Sequence, residues 1–274
     1  MKLLTQSTDY TETIKIAINL DELYDKPVIF HCYWNGTLNQ KHLISILSCY
    51  YFNVYNNKHK IILWLENNVA NKYNKLIEPY AEIKYFSLSE EINNSKIKGK
   101  INYSKQLSYY SDVVRYFLLY NYGGVWFDLD CLILRNFDPL FYHYENEICL
   151  YQWETMNYPN GAIFISLEPK SSKMKDAIEF IIKRNRGWGF QEASLTYDSS
   201  LDFLVLPCSW FDPNFIKNPC TIEDIFSTVK EEYNFDTFFK GCFCYHWHNK
   251  WNTKINNNSI ILQLFKIICN AMHV

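Results

Sequence analysis

Short apolar runs that alternate with longer segments of helical periodicity constrain the fold of this chain more than any other feature. Strands are predicted at residues 27–34, 60–65 and 81–86, and helices at 38–55 and 69–77. This alternation predicts a βαβαβ start and a mostly parallel sheet. Because ligands bind such sheets at the carboxyl ends of the strands, we expect the functional residues to follow strand ends.

The second half of the chain continues the pattern around a central apolar run. A helix is predicted at 104–122, ended by two glycines, and the run at 123–134 is predicted to be a buried strand. The remaining predicted elements are strands at 148–153, 162–167 and 203–206 and helices at 172–185 and 259–272. Since no repeat or Pro/Gly-rich linker divides the chain, we predict one α/β domain spanning 1–274, with its core at 27–251.

Composition limits the partners of this chain. A formal net charge of −2 removes the electrostatic basis for a nucleic-acid partner. The first residues lack the apolar segment of a secretory signal, and no apolar stretch reaches the ~20 residues of a membrane helix. We therefore predict a cytoplasmic protein, with peripheral membrane contact through the apolar segment 259–272 left open. Nine cysteines without a CxxC pair predict buried thiols rather than a disulfide framework.

Two aspartates, Asp128 and Asp130, interrupt the apolar run GGVWFDLDCLIL at 123–134. In a continuous strand both side chains point to the same face. Two ionised carboxylates in apolar surroundings are unfavourable unless a cation neutralises them or one is protonated. Mg²⁺ or Mn²⁺ would suit the pair because these ions prefer oxygen ligands. Pairing with Arg115 or Arg135 is the alternative.

Asp112 and Arg115 lie three residues apart in the predicted helix that precedes the aspartate pair. At this spacing the two side chains share a helix face, away from the apolar stripe. They can therefore point toward the same strand end as the aspartates. The alternative is a local salt bridge on a solvated surface, which contributes little to stability.

SDVVR at 111–115 and YGGVWFDLD at 122–130 together resemble the signature of the DXD-containing sugar-transferase family of GT-A glycosyltransferases. This family includes the initiating mannosyltransferases, the α1,4-galactosyltransferases and the glycosyltransferase domains of clostridial toxins. Less specific matches are IFHCYWNG at 29–36, NGA at 160–162, WGFQ at 188–191 and HWHNK at 246–250. The resemblance spans residues 28–251 and implies the GT-A fold, a Rossmann-like, mostly parallel central sheet flanked by helices in a single domain.

The resemblance implies a metal-dependent glycosyltransferase. Its donor would be a nucleotide-sugar, a UDP-hexose or UDP-N-acetylhexosamine, and its acceptor a glycan, glycolipid or protein, with the anomeric configuration retained. The implied cofactor is Mn²⁺ or Mg²⁺, with Asp130 as a direct ligand and Asp128 bound to the ribose or to the ion's water. The implied catalytic residues are Asp130, Asp112 and Gln191.

The resemblance also implies a donor-binding set. Trp34 would stack on the uracil, since it is the last residue before the Asn-Gly turn, although a buried core tryptophan is the alternative. Asp112 would bond hydroxyls of the donor sugar, and Arg115 would contact sugar or phosphate. Asn160 and Gly161 would approach the sugar closely, the glycine because it has no side chain.

The segment CFCYHWH at 242–248 alternates potential metal ligands. A strand of this length covers ~20 Å, so four ligands along it cannot surround one ion. The resemblance implies His246 as a further metal or diphosphate ligand, with His248 as second choice; a hydrogen-bonded strand histidine is the alternative. Trp251 is placed in a flap over the donor and Gln191 near the reacting carbon. We predict that activity falls below about pH 6 as the histidine is protonated.

One departure from the family pattern and two alternative functions are also considered. Glu192 and Ala193 follow Gln191 where the galactosyltransferase pattern has Gly-Pro, which leaves the acceptor geometry undetermined. FDLDCLIL also resembles the first motif of haloacid-dehalogenase phosphatases, but those continue with Gly-Thr where this chain has Cys131 and Leu132. A nucleotide-sugar or glycan-binding module without turnover is the third reading.

Overall fold

The chain is built around an eight-stranded sheet. The computed structural model describes residues 2–5, 7–66, 71–99, 107–153, 159–184, 201–216 and 224–274. The elements up to residue 95 are β1 (Lys2–Leu3), α1 (Tyr10–Ile18), β2 (Ile29–Trp34), α2 (Gln40–Asn53), β3 (Lys60–Leu65), α3 (Lys72–Ile77), β4 (Glu82–Tyr85) and α4 (Leu88–Ser95). Those that follow are α5 (Leu107–Tyr122), β5 (Gly124–Phe127), β6 (Cys131–Ile133), α6 (Asp138–Tyr144), β7 (Ile148–Gln152), β8 (Pro159–Ser166), α7 (Ser172–Arg184), β9 (Phe203–Leu206), β10 (Cys244–His246) and α8 (Ile260–Met272).

The strand order is β1-β9-β7-β8-β5-β2-β3-β4. Only β8 runs against its neighbours β5 and β7, and the other pairings in this sheet are parallel. The predicted mostly parallel sheet is therefore confirmed. Alternate strand residues pack into two apolar cores, one under α1, α2, α6 and α8 and the other under α4, α5 and α7, so helices cover both faces.

Sequence periodicity located most of these elements. Strands β3 and β9 have the predicted bounds, and the bounds of β2, β4, β7 and β8 lie within one to three residues of those predicted. The predicted helices 69–77 and 104–122 are confirmed over the residues that the structure describes. Short elements that were not predicted are α1, α4, α6 and β1.

The predicted strand at 123–134 is wrong as a single element. Strand β5 ends at Phe127, a turn follows in which the Cys131 N–H donates to the Asp128 carbonyl (3.0 Å), and β6 then pairs with β10 in a separate two-stranded sheet. Apolar residues on both sides of the turn are buried equally, so periodicity does not mark the break.

Two glycines place β5 in the centre of the sheet. Gly123 and Gly124 have φ of +66° and +109°, which side chains disfavour. A Cβ at Gly123 would lie 2.3 Å from the Leu167 carbonyl oxygen, and one at Gly124 would lie 2.2 Å from that of Ile29. The close approach of these backbones lets α5 turn directly into β5 and brings the following aspartate to the edge of the sheet.

Two further expectations concern cysteines and the membrane. No disulfide links the cysteines in the described part of the chain, and all of these except Cys269 are buried. Of the helices that the structure describes, none has the length and apolar character needed to cross a bilayer. Helix α8 instead buries Ile260, Leu264 and Ile268 against the protein.

Candidate active site

A cleft of about 490 Å³ lies at the carboxyl ends of β2, β5 and β7, within the size range of ligand sites. It brings together nine of the residues predicted from the sequence: Trp34, Asp112, Arg115, Asp128, Asp130, Asn160, His246, His248 and Trp251. Gly161 is buried in β8 beside Asn160 and does not line the cleft. Gln191 lies outside the described residues.

Asp130 is held by the loop that follows β10. Its backbone carbonyl accepts the Trp247 N–H (2.9 Å), and its Oδ2 accepts the Asn249 N–H (2.6 Å) and lies 3.2 Å from His246 Nε2. Burial alone would raise the pKa of Asp130, but His246 and the Asn249 N–H outweigh it and lower this pKa to about 2. Asp130 is therefore a buried carboxylate that stays ionised.

Asp128 lies in a different electrostatic environment. Its Oδ1 accepts the Trp126 indole N–H (2.7 Å) and lies 3.3 Å from the Arg115 guanidinium. Burial raises the pKa of Asp128, and the adjacent charge of Asp130 acts in the same direction while Arg115 opposes both. The two aspartates of the motif therefore have different partners. Asp130 pairs with His246, and Asp128 pairs with Arg115.

Arg115 joins Asp128 to Asp112. Its guanidinium is 2.9 Å from Asp112 Oδ1 and lies over the Trp126 ring, and the residue is only 3% exposed. The local salt bridge that was the alternative does form, but it lies in the cleft wall, with Arg115 buried and Asp112 partly buried, and not on a solvated surface. Burial raises the pKa of Asp112 to about 6, with Arg115 acting against the shift. Arg135, the other candidate partner, donates to backbone carbonyls of Ala17 and others instead.

The segment 242–248 is not one extended strand, which corrects the argument from strand length. Strand β10 ends at His246, and His248 and Asn249 both have positive φ, 52° and 56°. The turn places the two histidine rings 4.0 Å apart between centroids. Both histidines therefore line one cleft.

A buried carboxylate that the sequence analysis missed, Asp212, holds the two histidines. Its Oδ1 lies 3.0 Å from His248 Nε2, and its Oδ2 accepts the Trp153 indole N–H (2.7 Å) and lies 3.7 Å from His246 Nδ1. The Tyr151 hydroxyl is also 3.1 Å from His246 Nδ1. Burial would raise the pKa of Asp212, but the two histidines lower it. Asp212 follows a short 3₁₀ turn and precedes a proline, so its local sequence indicates only a loop.

Trp34 and Trp251 meet at the opposite wall, with His42 beneath them. The Trp34 and Trp251 ring centroids are 4.7 Å apart, and His42 stacks on Trp251 at 4.4 Å. Lys41 donates to the backbone carbonyls of Lys250 and Trp251, which ties this loop to α2. In the described part of the chain, the Trp34 Nε1 is buried and has no hydrogen-bond partner.

The donor set fits a divalent cation. Within the described part of the chain, Asp128 Oδ2 and Asp130 Oδ1 accept no hydrogen bond, so one oxygen of each carboxylate is available as a ligand. His246 lies with Asp130 in one group of potential ligand atoms and with Asp212 and His248 in another. Oxygen ligands with one imidazole suit Mn²⁺ or Mg²⁺.

Comparison with known proteins gives a family match for part of the chain. Residues 55–147 match the family model "Glycosyltransferase sugar-binding region containing DXD motif", which confirms the resemblance drawn from the sequence. No curated protein matches the chain.

Solved structures show the fold. The glycosyltransferase GlyE of Streptococcus pneumoniae TIGR4 is similar over 90% of this chain and 63% of its own, with 12% identity and a TM-score of 0.55. The bifunctional glycosyltransferase WbbM is similar over 92% of this chain and 51% of its own, with 12% identity and a TM-score of 0.51. This chain thus spans less than two thirds of either protein. The fold is that of GT-A glycosyltransferases, and the family match over residues 55–147 supports a glycosyltransferase function.

Proposed function

We propose that this chain, which carries the sugar-binding region of the DXD glycosyltransferases, is a metal-dependent enzyme that transfers a sugar from a UDP-sugar. The supporting observation is the pair Asp128 and Asp130 at the end of a central strand, each with one carboxylate oxygen available to a ligand within the described part of the chain. When bound there, Mn²⁺ or Mg²⁺ would supply the positive charge that stabilises the departing diphosphate.

Asp130 and His246 would hold the cation directly. Asp130 remains ionised at neutral pH because its pKa is about 2, so it can bind a cation without releasing a proton. His246 must lose a proton to become a ligand, and Asp212 with Tyr151 would orient its ring from the Nδ1 side. Asp128 would contact the cation's water or the ribose, and His248 would serve as an outer partner of Asp212.

Arg115 and Asp112 would orient the donor. Arg115 is a buried cation in the cleft wall and suits a phosphate or sugar oxygen. Asp112 pairs with Arg115 through its Oδ1 and can also accept hydrogen bonds from sugar hydroxyls. Asn160 uses its Oδ1 for the Ala162 N–H (2.7 Å), which fixes its side chain toward the sugar.

Trp34 and Trp251 would bind the nucleoside end. Trp34 lines the cleft and offers an aromatic ring, which suits stacking on a base such as uracil. Trp251, on the loop that Lys41 holds against α2, would cover the donor from the cleft wall, which is the part of the flap predicted for it.

The finer assignments remain proposals of the same kind. Retention of configuration, a hexose or N-acetylhexosamine as the transferred group, and a glycan, glycolipid or protein acceptor follow from the family resemblance alone. We name no protein nucleophile, and the role of Gln191 as a catalytic residue remains a prediction. A cytoplasmic location and peripheral membrane contact are likewise predictions.

A thermal-shift panel tests the proposal. UDP-, GDP- and CMP-sugars are each added with and without Mn²⁺, and a UDP-sugar at one hundred times its dissociation constant should stabilise the protein by ~2.7 kcal/mol. We expect stabilisation by UDP-sugars that requires Mn²⁺. Stabilisation by no nucleotide-sugar, or equally without the metal, would contradict the proposal.

Hydrolysis separates an enzyme from a binding module. A glycosyltransferase slowly transfers its sugar to water, so UDP should accumulate when UDP-sugar and Mn²⁺ are mixed with the protein alone. Donor binding without hydrolysis, and without transfer to any acceptor, would favour the non-catalytic reading. Phosphate release from a phosphomonoester would favour the phosphatase.

A further inference from the structure

A second pocket lies at the same edge of the sheet. It has a volume of about 200 Å³ and opens where the parallel strands β7, β9 and β1 end. Trp153, the residue after β7, lines both this pocket and the cleft. A ligand in the second pocket therefore lies one indole ring away from the proposed donor site.

The chemistry of the second pocket differs from that of the cleft. Among the described residues that line it, none has a formal charge. Its polar side chains are those of Thr5, Ser7, Thr8, Thr13, Gln152 and Ser209. Hydroxyl and amide groups beside apolar residues and one tryptophan suit a neutral ligand that has many hydroxyls and a flat apolar face. A saccharide has this combination, whereas a nucleotide or a phosphate would lack a cation to pair with.

Trp153 is held in place as a shared wall. Its ring stacks on Phe215 at 5.2 Å between centroids, and its N–H donates to Asp212 (2.7 Å). Asp212 also holds His248. Asp212 therefore sets the orientation of both Trp153 and the histidines of the cleft. The two pockets thus keep fixed positions relative to each other.

We propose that the second pocket binds a neutral saccharide acceptor, whose reacting hydroxyl reaches the cleft past Trp153; this inference rests on the proposed function. In the transfer, the acceptor oxygen bonds to the anomeric carbon of the donor sugar. The bond from that carbon to the diphosphate oxygen breaks, its electron pair stays on the diphosphate, and the hydroxyl proton passes to the departing diphosphate.

Thr8→Trp tests the pocket, with Thr11→Trp as the matched control. Thr8 is exposed and lines the pocket, so an indole there fills it, whereas Thr11 is also exposed, on α1, and does not line it. Leu3→Trp, at a residue that is 46% exposed, fills the pocket from β1 as a second variant. Thermal unfolding verifies that each variant is folded.

The probes are the methyl glycosides of glucose, galactose, mannose and N-acetylglucosamine, with glucose 6-phosphate as a charged comparison. Binding is measured by saturation-transfer NMR without a donor, so the result does not depend on whether the protein hydrolyses UDP-sugars. We expect at least one glycoside to bind to wild type and Thr11→Trp, and about tenfold weaker binding to Thr8→Trp and Leu3→Trp. Binding of no glycoside, binding of the phosphate alone, or equal binding to both pocket variants and wild type would overturn the proposal.

Discussion

The cleft and the second pocket share one sheet edge and one wall, yet only the cleft is charged. Its charged and titratable groups come from segments outside the strands of the large sheet, namely the turn after β5, helix α5, and β10 with the loop that follows it. The second pocket is built from the ends of β7 and β9 and from the chain around β1, and none of its described lining residues is charged. The difference indicates that the fold supplies the shape at both places, and that the connecting segments decide which chemistry each can perform.

The largest expected effect lies on the charged side. Asp130→Asn keeps the size of the side chain but removes the charge that His246 and the proposed cation share. Because loss even of an outer partner of a metal ligand costs about 10–100-fold, we expect UDP-sugar hydrolysis to fall by at least about 100-fold. Asp236→Asn, at a side chain that is 84% exposed, is the control and should retain wild-type turnover. Wild-type turnover and metal dependence in Asp130→Asn would contradict the catalytic role proposed for the charged cleft.

The two histidines should differ in importance. His246 lies 3.2 Å from Asp130 and is buried, whereas His248 contacts only Asp212 among the carboxylates of the described residues and is partly exposed. We expect His246→Ala to weaken Mn²⁺ binding by more than about tenfold and His248→Ala to weaken it less. Isothermal titration with Mn²⁺ measures both, and an unchanged affinity in the double variant would exclude the histidines from the site.

Metal binding should depend on pH in a defined direction. Desolvation would lower the pKa of His246, but Asp130 and the other acceptors around the ring raise it well above 6.5 in the metal-free protein. The proton must leave before the imidazole binds a cation, so Mn²⁺ affinity should rise with pH until that pKa is passed. The decline in activity predicted below about pH 6 should therefore begin at a higher pH.

Proton release provides the measurement. Calorimetric titrations with Mn²⁺ in two buffers of different ionisation enthalpy should show about one proton released per ion near pH 7. Asp112→Asn is the control for a proton released by Asp112 itself, because the pKa of Asp112 is about 6 and lies close to this pH. Metal binding that releases no proton would contradict the assignment of His246 as a ligand.

The smallest expected effect concerns the shared wall. Trp153→Phe keeps an aromatic face for both pockets but removes the N–H that Asp212 accepts, so stability should fall by about 1 kcal/mol. Urea unfolding of Trp153→Phe, Asp212→Asn and the double variant gives the coupling energy of the pair. Additive effects of the two substitutions would show that the hydrogen bond does not join the pockets.

The sequence predicted the sheet and the identity of most cleft residues because both leave local patterns. Apolar periodicity located the long elements, and the DXD motif with the preceding Asp-x-x-Arg pair located the charged wall. Periodicity could not show that β8 runs antiparallel, since strand direction depends on pairing between distant segments. It also missed the turn at Asp128–Asp130, because residues on both sides of the turn are buried.

Asp212 and the second pocket were beyond the reach of sequence reasoning for a different reason. Asp212 is separated from His246 by more than thirty residues, and only the folded chain brings the two side chains together. The pocket joins the first residues of the chain to the ends of β7 and β9 through parallel pairing of β1 with β9. Neither feature has a local motif, so both depend on contacts that periodicity does not encode.

Hydrogen bonds from the Trp247 and Asn249 N–H groups to Asp130 couple the position of the loop to that of the aspartate. Movement of the carboxylate toward an ion also pulls on the Asn249 peptide group, and any displacement of the loop moves the carboxylate in return. The affinity for the ion and the conformation of the loop after β10 therefore cannot change independently. Evolution or a protein engineer can change one only by changing the other.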